Sequence, residues 1–198
     1  MFVPIIAEFQ RRYTKVRVHA FVTERNVDLI ADGVDLVFRV GDLSDSALSA
    51  RRLLTYRHIL LASPDYLKRH GMPRNPDELA GHRLLTFGAL GRPVKWTFVR
   101  EVENVTVQVE PYFQINDYLA IQKAAIEGQG IGELPAILCG PALRYRSLTP
   151  VMVDWRCPRV NLSAIHVATR NMSRLVRLFL DHCAESLRRR VDQEAVDG

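Results

Sequence analysis

The segment spanning residues 32–85, DGVDLVFRVGDLSDSALSARRLLTYRHILLASPDYLKRHGMPRNPDELAGHRLL, constrains the fold more than any other part of the chain. Within it, VDLVFRV (residues 34–40) is too apolar and too short for a surface helix. It reads as a strand covered on both faces, as parallel strands are. Arg39 and the turn Val40-Gly41-Asp42 then fall at the strand's carboxyl end, which in open α/β sheets is where ligands bind. A second apolar run, HILLA (residues 58–62), ends at Ser63-Pro64, a helix N-cap followed by proline at the first helical position.

The elements around this segment repeat the α/β alternation. Phe2, Ile5, Ile6, Phe9 and Tyr13 recur at three- and four-residue spacing, which predicts an amphipathic helix over residues 2–13. Val16, Val18, Ala20 and Val22 alternate with Arg17, His19 and Phe21 and read as a strand. Thr23 is a candidate N-cap for a short helix closed by Gly33, so strand, helix and strand make one crossover unit. After Ser63-Pro64 come short helices with proline starts, such as Asn75-Pro76, and a second lobe is expected to begin there. Residues 83–87 and 96–98 read as strands, and the alternation of Val105, Val107 and Val109 gives another. Asn116 is placed as the cap of a helix over residues 117–127, Gly128 ends it, and residues 131–134 form a short strand. Residues 160–169 form a last strand, followed by a terminal helix with Val176, Phe179, Cys183 and Leu187 on one face and a frayed end after Arg188.

Composition narrows the function classes. At 47% apolar and 25% charged residues the chain is ordinary for a soluble globular protein. No apolar run approaches the roughly 18 residues of a membrane span, and the N-terminus lacks the pattern of a secretory signal. The cytoplasm is the expected compartment, and the 3 cysteines are too scattered for a disulfide framework. The net charge of +5 invites a nucleic-acid reading. Its basic clusters, Arg11-Arg12, Arg51-Arg52 and Arg188-Arg189-Arg190, are dispersed and lack interleaved aromatics, which favours a solvated surface. No G-x-S-x-G, H-E-x-x-H or C-x-x-C word occurs, and the histidines have no metal-ligand spacing. The chain is therefore read as a non-enzyme with no cofactor.

Candidate binding residues each carry two readings. Arg39 serves either as a bidentate partner for a carboxylate or as a donor to hinge carbonyls. Phe38 and Phe87 form either apolar walls of a small-molecule site or core. Asn116 and Asp117 either cap a helix or present amide groups to an anion. The run GQGIGELP, with Gly130, Ile131 and Gly132, follows a helix and precedes a strand, the reverse of a dinucleotide fingerprint. Its glycines supply either a tight turn or close backbone approach at the rim of a site.

The order of several segments resembles the regulatory, effector-binding domain of LysR-type transcriptional regulators, within the type II periplasmic-binding-protein fold. The matching words are FVPIIAEFQRRY, VDLIADGVDLVFRVGDL, ILLASPDYLKRHGMPRNPDELAGHRLL, NDYLAIQKAAIEGQGIGELP and RLVRLFLDHCAESL. The resemblance implies an α/β, two-lobed fold, each lobe a mixed, mostly parallel sheet flanked by helices, with an interlobe cleft. Residues 1–62 and 164–198 would form the first lobe and residues 63–163 the second. An effector would meet Thr23, Phe38, Arg39, Val40, Gly41, Phe87, Asn116, Asp117, Gly130, Ile131 and Gly132.

The implied function is sensing of a small, anionic metabolite in transcriptional control. The implied partners are that effector and a second copy of the chain, joined through residues 2–13, 16–22 and 117–127. DNA would be contacted only by a winged helix-turn-helix upstream of this sequence, and no membrane is involved. The family's regulatory domain also begins with a strand before the first helix, so a truncated or mis-started regulator is expected, its gap closed by a partner chain or by rearrangement. The alternatives are a free-standing solute-binding protein of a transport system and an enzyme on the same fold. A redox switch between Cys139 and Cys157 has no activating neighbour except Arg156 and Arg159 beside Cys157.

Overall fold

The structure, a computed structural model, describes residues 1–23, 25, 27–41, 48–89, 93–167 and 172–196, with the side chains of 48, 167 and 191–196 left aside. The chain divides into two compact units. Unit 1 comprises Met1–Thr55 with Val160–Gly198, and unit 2 comprises Tyr56–Arg159.

Unit 1 is held together by two helices. The spacing of Ile5 and Phe9 puts both on the buried face of α1 (Phe2–Arg12). Leu180, Cys183 and Leu187 do the same for the terminal helix, called α5 below (Arg174–Val196). That helix continues past Arg188, where fraying was expected. Aromatic rings fill the space between helices and strand: Phe9 meets Phe179 edge-on at 5.0 Å, and Phe38 stacks on Phe2 at 4.1 Å. Polar groups at this seam are paired as well. His182 Nε2 lies 3.1 Å from the Ile5 carbonyl, and Glu8 accepts from Arg190 at 3.0 Å and from Ser186 at 3.3 Å.

Three sequence expectations change in unit 1. Residues 16–22 lie in no strand, and Phe21 and Val22 are exposed. Alternation marks a surface able to line a sheet, but a strand also needs a partner edge, and none pairs with it among the described residues. The run at residues 34–40 yields only β1 (Val37–Val40), half-buried rather than covered on both faces. Its described neighbour is antiparallel, with Val37 opposite Ile165 and Val40 opposite Leu162 of the return strand, β9 (Arg159–Val167). The expected short helix reduces to one turn, because Asp28 Oδ1 accepts from the amides of Ile30 and Ala31 and closes it locally. Gly33 ends that turn at φ +63°, the left-handed conformation anticipated for it.

The chain enters unit 2 along β2 (Leu48–Ala62), whose first part neighbours β9 within unit 1. Ser63 then caps α2 (Pro64–His70), its Oγ accepting from the Tyr66 amide at 3.2 Å, and Asn75 caps a 3₁₀ turn (Pro76–Gly81). The strands β3 (Leu84–Phe87), β4 (Val94–Arg100), β5 (Glu103–Val109) and β6 (Pro111–Ile115) follow. Next come α3 (Tyr118–Ile126), β7 (Ile131–Pro135), α4 (Gly140–Arg144) and β8 (Thr149–Val151). Strand β3 lies between β6 and β7 and is parallel to both, while β2 pairs antiparallel with β7 and with β8. The β6 strand escaped sequence reading because it starts on proline, which a strand tolerates at its first residue.

Alternation along these strands separates two cores. Leu61, Leu85 and Leu134 pack with Ile121 and Ala125 of α3 on one face. Leu60, Leu84 and Ile131 pack on the other with Trp96 and Phe98 of the β4–β5 hairpin and with Trp155. Gly130 is required by a close approach: a Cβ there would lie 2.3 Å from the Arg83 carbonyl oxygen.

Candidate functional site: a buried polar row in unit 2

The face of the unit 2 sheet that carries Leu60, Leu84 and Ile131 also receives polar side chains. Strand parity puts His58 on the side of Leu60, Thr86 on the side of Leu84, and Glu133 on the side of Ile131. Gln114 points the same way, since its neighbours Phe113 and Ile115 pack on the α3 side. The register Leu85↔Gly132 makes Glu133 and Thr86 the next positions along β7 and β3, and Thr86 is directly opposite Gln114. With parallel strands about 4.8 Å apart, Glu133, Thr86 and Gln114 form a row across three adjacent strands. His58 joins its end, with Nδ1 3.2 Å from Glu133 Oε1.

The row is poorly satisfied. His58 is 8% exposed and Thr86 0%, yet His58 Nε2, Thr86 Oγ1 and Gln114 Nε2 have no hydrogen-bond partner among the described residues. Each such buried group costs about 1–3 kcal/mol if left unmade. Gly88 lies beside it at φ +150°, a conformation that L side chains rarely adopt, and a Cβ there would sit 3.0 Å from Gln114 Nε2. Trp155 Nε1 is a further orphan, under the Arg100 guanidinium at 4.3 Å from its ring centroid.

Aromatic rings border the row. His58 stacks on Tyr56 at 5.6 Å and meets Tyr118 edge-on at 5.3 Å, while Tyr118 stacks on Phe87 at 4.4 Å. The Glu133 carboxylate is felt throughout. Burial, and then Glu133, push the Tyr56 phenol up to about 12 and raise that of Tyr118 as well. The Cys157 thiol is pushed up to about 12 by burial first and Glu133 second, against the Arg57 guanidinium, which donates to the Cys157 carbonyl at 2.7 Å. All three groups stay protonated near neutral pH, so the surroundings of Glu133 offer hydroxyl donors and no additional anion. All 3 cysteines are buried and free, and no His, Cys, Asp and Glu group suited to a metal occurs among the described residues.

The residues expected from sequence fall in several places. In unit 1, Thr23 Oγ1 accepts from the Arg25 amide at 3.2 Å, a local turn contact. Phe38 packs against Phe2 and Phe179, Arg39 is half-buried opposite Ser163, and Val40 is exposed. Gly41, at φ +100°, donates its amide to the Asn161 carbonyl at 2.9 Å. In unit 2, Asp117 and not Asn116 caps α3, its Oδ1 accepting from the Leu119 amide at 2.9 Å. Phe87, the last residue of β3, and Asn116 and Asp117, directly after β6, come together at the carboxyl ends of these two parallel strands. Gly130 and Ile131 lie at the opposite end of the parallel strands, beside Arg83 and Leu84, with Gly132 against Ile121.

Tyr56, His58, Thr86, Gln114, Tyr118 and Glu133 were missed as site residues. Their sequence signal is a polar residue of constant parity inside an apolar strand, as in LLTF and IGELP, which a search for glycine and helix-cap motifs passes over.

Comparison with known proteins fits this architecture. The LysR substrate binding domain pattern matches residues 1–188. The HTH-type transcriptional regulator CrgA of Neisseria meningitidis serogroup B is 30% identical over 185 residues, 93% of this chain and 62% of that protein. PtxR of Pseudomonas aeruginosa, also an HTH-type transcriptional regulator, is 30% identical over 187 residues, covering 93% of this chain and 59% of its own length. The chain thus spans about three fifths of these curated relatives. Among solved structures, the regulatory domain of CrgA superposes with a TM-score of 0.83 at 29% identity, covering 94% of this chain and 92% of that one. The full-length Vibrio cholerae virulence activator AphB gives 0.81 at 28% identity, covering 94% of this chain and 63% of that one. With a family match over nearly the whole sequence and the same fold in the solved relatives, the chain belongs to the LysR substrate-binding domain family, the regulatory domain of LysR-type transcriptional regulators.

Proposed function

We propose that this chain is the effector-sensing part of a DNA-binding transcriptional regulator. A small molecule is bound through the polar row of unit 2, and its unequal affinity for the regulator's conformations changes how subunits pair and present their DNA-binding regions. The observation that carries this reading is the row itself. Buried polar groups are normally paired, and a set of orphans concentrated on one sheet face is what a ligand site looks like when protein atoms do not fill its bonds. We propose Phe87, Asn116, Asp117 and Gly132 of unit 2 for further contacts to the effector. The charge of +5 favours an anionic effector, its charged end directed to arginine and away from Glu133.

A homodimer accompanies this proposal. Val3 of α1, with Phe21 and Val22, is exposed in unit 1, and Leu119 of α3 is exposed in unit 2. Exposed apolar side chains on the segments expected to pair support a protein contact there. No described helix is long and apolar enough to cross a membrane. The reading is tested by melting the chain in the presence of a panel of small metabolites. A true effector at 100 times its Kd adds about 2.7 kcal/mol, a rise in Tm of several degrees. A broad panel in which no compound raises Tm argues against the sensing function.

A further inference from the structure

A second polar cluster of unit 2 joins α2 to the segment that enters β3. Tyr66 of α2 is 0% exposed, and its hydroxyl oxygen accepts from the Arg83 amide at 3.0 Å. A phenol buried this deeply needs an acceptor for its own proton. The acceptor within reach is His82 Nδ1, at 3.2 Å. Nδ1 then presents a lone pair, so the closed arrangement requires the neutral imidazole with its proton on Nε2. Protonating His82 sets a second donor against the phenol oxygen and leaves the Tyr66 proton without an acceptor among the described residues. Charge acts in the same direction. His70, one turn along α2, stacks on the Tyr66 ring at 4.5 Å, and His82 is tilted toward that ring at 5.9 Å. Burial first and His70 second hold the His82 imidazole below its ordinary value, against the pull of the Glu78 carboxylate. Glu78 is itself engaged by the Arg74 amide at 2.8 Å and the Asn75 side chain at 2.9 Å. The other charged side chains of these elements are Asp65, Lys68 and Arg69 on α2, Asp77 on the 3₁₀ turn, and Arg83, whose guanidinium lies over the Tyr112 ring of β6 at 4.8 Å. Strand β5, which packs on that turn, carries Glu103, paired with Arg100 at 2.9 Å.

We infer that Tyr66, His70 and His82 form an acid-sensitive latch at the amino ends of β3 and β7, closed while His82 is neutral and opened when it takes up a proton. Arg83 transmits the change. Its amide is held by Tyr66 and its carbonyl accepts from the Ile131 amide at 2.9 Å, so the backbone of one residue ties the latch to the start of both strands. Thr86 and Glu133 stand two positions beyond the first residues of those strands. Opening therefore loosens the frame of the polar row. The latch is a property of unit 2 itself and does not depend on the effector-sensing reading. The unfolded chain takes up the His82 proton near the ordinary value of 6.5, and the folded chain only below it. The stability contributed by the closed latch is thus complete above about pH 6.5 and is lost as the pH falls below it.

The histidine ring resonances of the chain, labelled with nitrogen-15, are followed as the pH is lowered, together with hydrogen exchange at the Arg83 amide. His82 is expected to titrate below 6.5. The protection of the Arg83 amide, corrected for its intrinsic exchange rate, is expected to fall about fivefold or more between about pH 7.5 and about pH 5. His82→Asn keeps an acceptor near the Nδ1 position with no proton to gain, and is expected to abolish that fall. Tyr66→Phe removes the hydroxyl and is expected to bring the His82 titration back toward 6.5. Both readouts on the unmodified chain decide the matter even where a variant fails to fold. The inference is overturned if His82 titrates at or above 6.5, or if Arg83 protection is flat across the window. A fall in protection shared by amides throughout unit 2 and retained in His82→Asn is general acid unfolding and overturns it as well.

Discussion

Unit 1 pairs the half-buried polar groups of its helix seam, whereas unit 2 leaves fully buried ones without a partner among the described residues. At the α1–α5 seam of unit 1, aromatic rings fill the interior, His182 meets the Ile5 carbonyl, and Glu8 meets Ser186 and Arg190. In unit 2 a sheet face equally rich in aromatic side chains keeps His58 Nε2, Thr86 Oγ1 and Gln114 Nε2 without a hydrogen-bond partner among the described residues. A satisfied seam is built to hold two helices in one arrangement. An unsatisfied row sacrifices stability, which is reasonable only where something else completes the bonds.

That contrast predicts a graded set of substitution effects. The largest belongs to the seam. Phe9, 1% exposed and surrounded by Tyr13, Phe179 and His182, should cost about 3–5 kcal/mol when changed to alanine. Urea unfolding measures this, and a loss under about 1 kcal/mol would mean that the seam is not the core of unit 1. Next is Gly130→Ala in unit 2, where the new Cβ collides with the Arg83 backbone oxygen at 2.3 Å. Backbone must move, at a cost of about 1–3 kcal/mol, visible as a lower midpoint in the same experiment.

The row predicts the reverse sign. Thr86→Val removes a buried hydroxyl that has no partner among the described residues and keeps the side-chain shape, so it should leave stability unchanged or raise it by up to about 1 kcal/mol. A loss of 2 kcal/mol would show that the hydroxyl has a structural partner and would erase the difference between the units.

The smallest effect concerns thiols. Burial pushes Cys157 and Cys183 up to about 12 from an ordinary value near 9. Both should resist iodoacetamide at pH 8 in the folded chain and react once it is unfolded in urea. The unfolded chain releases these protons above about pH 9 while the folded chain retains them to about 12. Their contribution to stability is therefore complete below pH 9 and declines as the pH rises from 9 toward 12. Stability that stays flat over that window would contradict the assigned burial.

Local signals were the legible ones. The three- and four-residue spacing of Ile5 and Phe9 marked α1, and Ser63-Pro64 and Asn75-Pro76 marked helical starts whose caps form as expected. Long-range pairing was not legible. The alternation at residues 16–22 specifies a face and not a partner, and the apolar run at 34–40 gave no hint that β1 would be short, half-buried and antiparallel to β9. The same limit applied to the site. Gly130 and Phe87 stand in similar motif-like words, yet β3 and β7 put them at opposite ends of the parallel strands. Glu133, one residue beyond Gly132, reaches the row because β2 places His58 within bonding distance of it. Only the register of strands separated by dozens of residues makes that pair.

The account depends on whether the orphaned row is where the effector binds. The most direct measurement is to take the compound that most raises the chain's Tm and follow the Gln114 side-chain amide and His58 ring signals as it is added. The account predicts that both shift and saturate with the affinity read from the melting curves, and that Gln114→Leu weakens that affinity at least fivefold. Strong stabilisation with both signals unmoved would place the effector elsewhere and contradict it.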